Sequence, residues 1–164
     1  MRPILIFAIV GVLALVAAAC SKTAAPNSSA TTPTASASVS QAGATLGTTR
    51  TTLGTFLVGP GGKSLYLFEA DTTSKSTCST ACAQTWPPLI TTGAPIAGRG
   101  VRQSLLSTTQ RSDGTMQVTY DGHPLYLYAG DTMAGDTAGE GLNSFGAGWD
   151  VVSPTGKKIE KPGG

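Results

Sequence analysis

Two sets of side chains in this sequence have the types and spacing to do chemistry. The first is Tyr66, Phe68 and Asp71 in Leu65-Tyr66-Leu67-Phe68-Glu69-Ala70-Asp71-Thr72, which returns as Tyr126, Tyr128 and Asp131 in Leu125-Tyr126-Leu127-Tyr128-Ala129-Gly130-Asp131-Thr132. A phenol and a carboxylate in each copy could make two equivalent ligand sites, or one shared site on a pseudo-twofold axis. The plainer reading makes each Tyr a core residue whose hydroxyl bonds a nearby acceptor, with the Asp of its own copy a candidate. The second set is metal-capable. His123 with Met116 and Met133 has ligand types that suit copper or haem iron. Asp131, Asp136 and Glu140 lie in a Gly-rich stretch that could hold a hard cation, although their spacing fits no EF-hand loop. His123 directly follows a turn signal, where exposure is the default. The sequence contains no Cys-x-x-Cys-His for covalent haem.

An enzyme would need a nucleophile with a base, or two carboxylates in contrasting environments. One His after a turn offers neither, and the Gly runs follow no strand-to-helix pattern that would cradle phosphates. The expectation is therefore no catalytic residue, no resident metal and no cofactor.

The elements that position these residues come from a repeat. At a fixed offset, 12 of the 27 positions from Leu46 to Thr72 are identical in the two copies, among them Gly54 with Gly114, Val58 with Val118, and Gly62 with Gly122. Such self-similarity governs the architecture. In the first copy, Gly54 to Val58 and Lys63 to Phe68 are β-prone around the turn cluster Gly59-Pro60-Gly61-Gly62. In the second, Thr115 to Tyr120 alternates, Asp121-Gly122 supplies a two-residue type I′ turn, and His123 to Tyr128 returns. Pro124 lacks an N–H and belongs at a strand start or an edge. A period of two puts Tyr66 and Phe68 on one face and Leu65 and Leu67 on the other, with Tyr126, Tyr128, Leu125 and Leu127 arranged alike. Both faces are apolar, so each strand should be central and covered on both sides. Asp71 and Asp131 fall just past the strand ends, where they can bond downstream backbone. Residues 79–85 allow a short helix that stops before Pro87. Trp149 to Val152 reads as a last strand, turned by Pro154-Thr155-Gly156. The fold class is all-β, mainly antiparallel hairpins, with the two repeats (46–95 and 106–160) packed as one pseudo-twofold domain over residues 46–160.

The start of the chain carries an address. Residues 1–19 have a short basic region and an apolar run from Ile4 to Val16, as in a secretory signal peptide. Ala17-Ala18-Ala19-Cys20 then resembles a bacterial lipobox, with Ala17 where Leu or Val is usual. Cys20 would become the mature N-terminus and carry acyl chains such as palmitate. Residues 20–45 are Ser-, Thr-, Ala- and Pro-rich and read as a disordered tether. An exported chain left with Cys78 and Cys82 is expected to pair them. A redox role for Cys-x-x-x-Cys is the alternative, and a zinc site lacks the ligands. The formal net charge of +2 gives no footprint for nucleic acid.

The Tyr/aromatic/Asp triplets, the Cys78–Cys82 segment running into Trp86-Pro87-Pro88-Leu89, and the stretch Arg111-Ser112-Asp113-Gly114 through Tyr120-Asp121-Gly122-His123-Pro124 resemble a family of bacterial predicted lipoproteins. That family is defined by a Tyr-x-(Phe/Trp/Tyr)-x-x-Asp motif and is also described as a secreted repeat of unknown function. The resemblance implies an address and a repeat architecture, and transfers no catalytic residue. The expected protein is an extracytoplasmic lipoprotein of the bacterial cell envelope, attached to a membrane through Cys20. It would be a non-enzymatic binding or structural module for an envelope ligand or protein, with Trp86, Trp149 and the Tyr pairs as aromatic contact surface if they are exposed. A metal- or haem-related redox accessory protein is the alternative, and a hydrolase of envelope material a distant third.

Overall fold

In each copy, Thr-rich β-prone runs meet turn residues, and the chain folds back on itself. The computed structural model of the protein describes residues 42–160; the expected signal segment, Cys20, the expected tether up to residue 41 and Lys161 onward lie outside the described residues. β1 (Thr45–Thr51) pairs antiparallel with β2 (Gly54–Val58), with Thr48 opposite Leu57. In the second copy, β5 (Leu106–Gln110) pairs with β6 (Met116–Tyr120), with Thr108 opposite Val118. The strands β1 and β5 precede the hairpins expected from sequence. Their signal was the recurrence of Leu46, Thr48 and Thr49 as Leu106, Thr108 and Thr109.

The expected Asp121-Gly122 turn is present. Asp121 and Gly122 have φ of 49° and 83°, the pair of left-handed residues that a type I′ turn needs, and β7 (His123–Pro124) returns against β6. In the first copy the return is looser. Gly59 donates to the Lys63 carbonyl at 2.8 Å, Leu65 donates to that of Leu57 at 3.1 Å, and β3 (Tyr66–Phe68) goes on to another partner.

That partner is β9 (Ala147–Val151), from the other copy, with Phe68 opposite Trp149; β8 (Leu142–Ser144) flanks β9 on its other side. The two copies also exchange their closing segments. Val152 sits between Leu57 and Leu65, accepting from the first and donating to the carbonyl of the second at 2.8 and 3.1 Å. Leu89 of the first copy sits between Val118 and Leu125 in the same way, with both bonds 2.9 Å. At the centre, Tyr66 and Tyr126 each donate a backbone N–H to the other's carbonyl, at 2.9 and 3.0 Å. This closed antiparallel pair marks the local twofold. The sheet of β1 and β2 is completed by β4 (Ile96–Ala97), which runs parallel to β1 at Thr45 and Leu46.

The period-two faces separate two cores. One holds Phe56, Tyr66, Phe68, Trp86, Tyr126 and Trp149 with the two cysteines; the other holds Leu46, Leu57, Leu65, Leu67, Leu89 and Leu125. Leu127 is only partly buried, unlike its counterpart Leu67. The short helix α1 (Ala81–Thr85) stops at Trp86 ahead of Pro87. Ala44 and Thr45, the last residues of the stretch read as a tether, take part in the fold. Thr45 is already in β1, and Ala44 donates its N–H to Thr91 Oγ1 at 3.0 Å. Uncharged small side chains gave no warning of this, because the bonds are made by backbone.

Candidate functional site

The two Tyr/Asp motifs meet at the twofold, and their side chains cross. Tyr66 donates its hydroxyl to Asp131 Oδ2 at 2.7 Å, and Tyr126 donates to Asp71 Oδ2 at 2.5 Å. Each phenol is therefore bound by the carboxylate of the other copy, not by that of its own. The antiparallel Tyr66–Tyr126 pair sets both phenols at the seam between the copies, where each reaches the opposite carboxylate. The second oxygen of each carboxylate bonds downstream backbone, as expected. Asp71 Oδ1 accepts from Thr77 N–H at 2.7 Å and from its hydroxyl at 2.6 Å, and Asp131 Oδ1 accepts from Ala138 N–H at 2.9 Å.

Burial sets the electrostatics. It pushes the Tyr66 and Tyr126 hydroxyls well above the usual phenol range, and the adjoining carboxylates Asp131 and Asp71 push them further the same way. Burial also raises Asp131, against the pull of the Tyr66 hydroxyl and the Ala138 N–H. The phenols are thus held protonated, as donors.

Around these pairs the aromatic rings stack across copies. Phe68 lies on Trp149 at 4.2 Å, Trp149 on Trp86 at 4.0 Å, and Trp86 against Tyr128 at 4.4 Å. Tyr66 meets Trp86 edge-on at 5.3 Å, and Tyr126 meets Trp149 likewise at 5.1 Å, the geometry that ring quadrupoles favour. Both indole N–H groups are satisfied at Ser144, through Oγ at 3.2 Å for Trp86 and the carbonyl at 3.1 Å for Trp149. Trp86 and Trp149 are fully buried. They are core, so the exposure on which their use as contact surface depended is not met. A Trp beside Pro or in a terminal strand gives no sign of burial until its stacking partner is known.

The metal-capable residues do not converge. Met116 opens β6, while His123 pairs with Tyr120 at its other end, about 13 Å away at roughly 3.3 Å per residue. Met133 is 68% exposed in the loop after Asp131. Asp136 Oδ2 accepts from the Thr132 and Met133 N–H groups at 2.9 and 2.7 Å, and the Met133 bond leads in holding its carboxyl below the usual range. Glu140 Oε2 accepts from Val151 N–H at 2.7 Å. Among the described residues, no group of three His, Cys, Asp or Glu side chains could hold a metal ion. Cys78 and Cys82 are joined as a disulfide and buried against the aromatic core.

One residue at the centre entered the sequence reading only as part of the family-like stretch from Arg111 to Gly114, with no role of its own. Arg111, 8% exposed, donates to Ser76 Oγ and Gln117 Oε1 at 2.7 Å and to the Cys78 carbonyl at 2.8 Å. Ser76 in turn donates its hydroxyl to the Tyr126 phenol oxygen at 2.7 Å, since the one phenol proton goes to Asp71. The guanidinium thus ties the Cys78 loop of one copy to β6 of the other. Its counterpart is Thr51, so the repeat gave no signal for it.

Searches of curated proteins and of solved structures returned no match. Among the described residues, no helix is long and apolar enough to cross a membrane. A family model does match, twice, over residues 47–90 and 107–153, which are the two halves related by the Tyr66–Tyr126 pair. The chain belongs to that extracytoplasmic family, described as a secreted repeat of unknown function.

Proposed function

We propose that the protein is a non-enzymatic binding or structural module of the bacterial cell envelope, attached to a membrane through acyl chains on Cys20. The observation that supports this reading is the crossed pairing of Tyr66 with Asp131 and of Tyr126 with Asp71. The groups in the repeated motif that could do acid–base work are buried and engaged with one another. A general acid or base must reach the proton it moves. Here the motif closes the fold, and the outer surface is left to meet partners. The anchor follows from the apolar leader, Ala17-Ala18-Ala19-Cys20 and the polar stretch after it. Two acyl chains give stable attachment where one is marginal. The test is fractionation of cells expressing wild type or Cys20→Ala. Wild type is expected in the membrane fraction with two acyl chains on its N-terminal peptide by mass spectrometry. Cys20→Ala is expected to lose the acylation. Wholly soluble wild type would end the anchoring claim.

A further inference from the structure

The two halves differ where the repeat should make them alike. In one half, Lys63 Nζ donates to the backbone carbonyls of Asp131 and Thr132, at 3.0 and 2.6 Å. Gly135 donates its N–H to the Gly62 carbonyl at 2.9 Å, so the loop after Asp131 lies closed on the Gly59–Gly62 turn. The counterpart of Lys63 in the other half is His123, and the counterparts of its acceptors are the carbonyls of Asp71 and Thr72. Among the described residues these two carbonyls accept no hydrogen bond. Two clefts, of about 350 and 220 Å³, meet there, and both are lined by Asp71, Thr72 and His123. The imidazole is shorter than the four-carbon ammonium stem of a lysine, so it leaves open the space that Lys63 fills in the other half.

We propose that this cleft binds a primary ammonium group on a short aliphatic stem, the group that Lys63 supplies internally to the other half. Leu67 and Phe68 give the larger cleft an apolar wall for the stem. The lysines on its rim are already held by carboxylates: Lys157 by Asp121 at 3.2 Å, and Lys158 by Glu69 and Glu160 at 2.8 and 2.9 Å. Both oxygens of Asp71 are engaged by Thr77 and Tyr126. The recognition is therefore carbonyl to ammonium, as at Lys63, and favours a donor with several N–H groups over a bare cation. The site deepens the binding reading above and rests on it, but not on the anchor; membrane fractionation and amine binding report the two separately.

The chain has a single histidine, so its ring resonances need no assignment by mutation. The full chain in detergent is titrated with n-butylammonium, and the His123 ring and Thr72 amide signals are followed by NMR. A saturable shift is expected with n-butylammonium and none with tetramethylammonium, which has no N–H. His123→Lys should fill the cleft with its own ammonium, raise the melting temperature, and lower n-butylammonium affinity by about tenfold or more, roughly 1.4 kcal/mol per decade. Lys63→His should open a second site, so that the Thr132 amide begins to respond. Nα-acetyl-lysine amide and 1,4-diaminobutane then separate a peptide side chain from a free polyamine, the tighter binder naming the source. An unmoved His123, an equal response to tetramethylammonium, or tighter binding of acetate would overturn the proposal.

Discussion

A phenol hydroxyl in a protein core is costly unless it finds an acceptor, and here each acceptor comes from the other copy. The crossed bonds make the two motifs depend on each other at the level of single atoms. Removing the Tyr66 hydroxyl leaves Asp131 Oδ2 without its phenol donor. Hydrogen bonds to charged groups contribute about 1.5–3 kcal/mol, so Tyr66→Phe is expected to lower unfolding free energy by that order in urea titrations. Tyr126→Phe should cost at least as much, because its hydroxyl also bonds Ser76 Oγ. The raised phenols carry a second consequence. An acid whose pKa is raised by folding holds its proton in the native state at a pH where the unfolded chain has released it. Its stabilising effect is complete below the unfolded value of about 10 and is lost as pH rises beyond it. Urea midpoints should therefore stay level on this account from neutral pH to about 9 and fall above about 10. The fall should be shallower in the Tyr66→Phe/Tyr126→Phe double variant, and an identical alkaline profile in that variant would contradict the assignment. The sequence showed that these phenols and carboxylates belong together. It did not show the crossing, because the partners are 65 and 55 residues apart and only the strand pairing brings them side by side.

At the scale of elements, the legible parts were those whose turn chemistry is local. Asp121-Gly122 declared its hairpin, and Pro87 declared the end of α1. β8 and β9 form a hairpin of the same kind, but its turn is Phe145-Gly146, with φ of 57° and 95°. An aromatic residue is an unusual occupant of the left-handed region, so the signal was missing and β8 went unread. The disulfide was legible from cysteine arithmetic, and its effect is local: the loop-entropy contribution of so short a ring is about 2 kcal/mol. A close approach of a loop to the aromatic core lies at Gly139, where an added Cβ would stand 2.8 Å from Trp86 Cη2 and 3.0 Å from Tyr66 Cζ. Those rings are held by Trp149, Tyr128 and Asp131, so they have little room to move. Overpacking of this sort costs about 1–3 kcal/mol. Gly139→Ala should lower the urea midpoint accordingly and alter the near-ultraviolet circular dichroism of the indole stack. A variant with unchanged stability would mean that the Gly-rich loop yields and does not clamp the rings.

At the scale of the whole molecule, the repeats are interlocked. Leu89 of the first copy completes the sheet of the second, Val152 of the second completes that of the first, and β3 pairs with β9 across the boundary. The fixed offset and the two apolar faces of each central strand made one pseudo-twofold unit foreseeable, since a hairpin pair of this size cannot cover both its faces alone. The exchange of closing segments was not foreseeable. Pro88-Leu89 and Val151-Val152 share no residue pattern, and their equivalence lies in the backbone bonds they make. Leu65 and Leu125 sit at the same place in each half and are fully buried in one shared aliphatic cluster. Truncating such a side chain costs about 2–5 kcal/mol. Because each half supplies a strand to the other, Leu65→Ala and Leu125→Ala should each destabilise both halves equally and leave a single transition. The measurement is urea unfolding followed at backbone amides of Val58 and Val118 by NMR, one probe per copy. Coincident midpoints in wild type and in both variants are expected. A Leu65→Ala protein in which Val58 melts while Val118 stays folded would show that the copies are autonomous, and the interlocked account would fail.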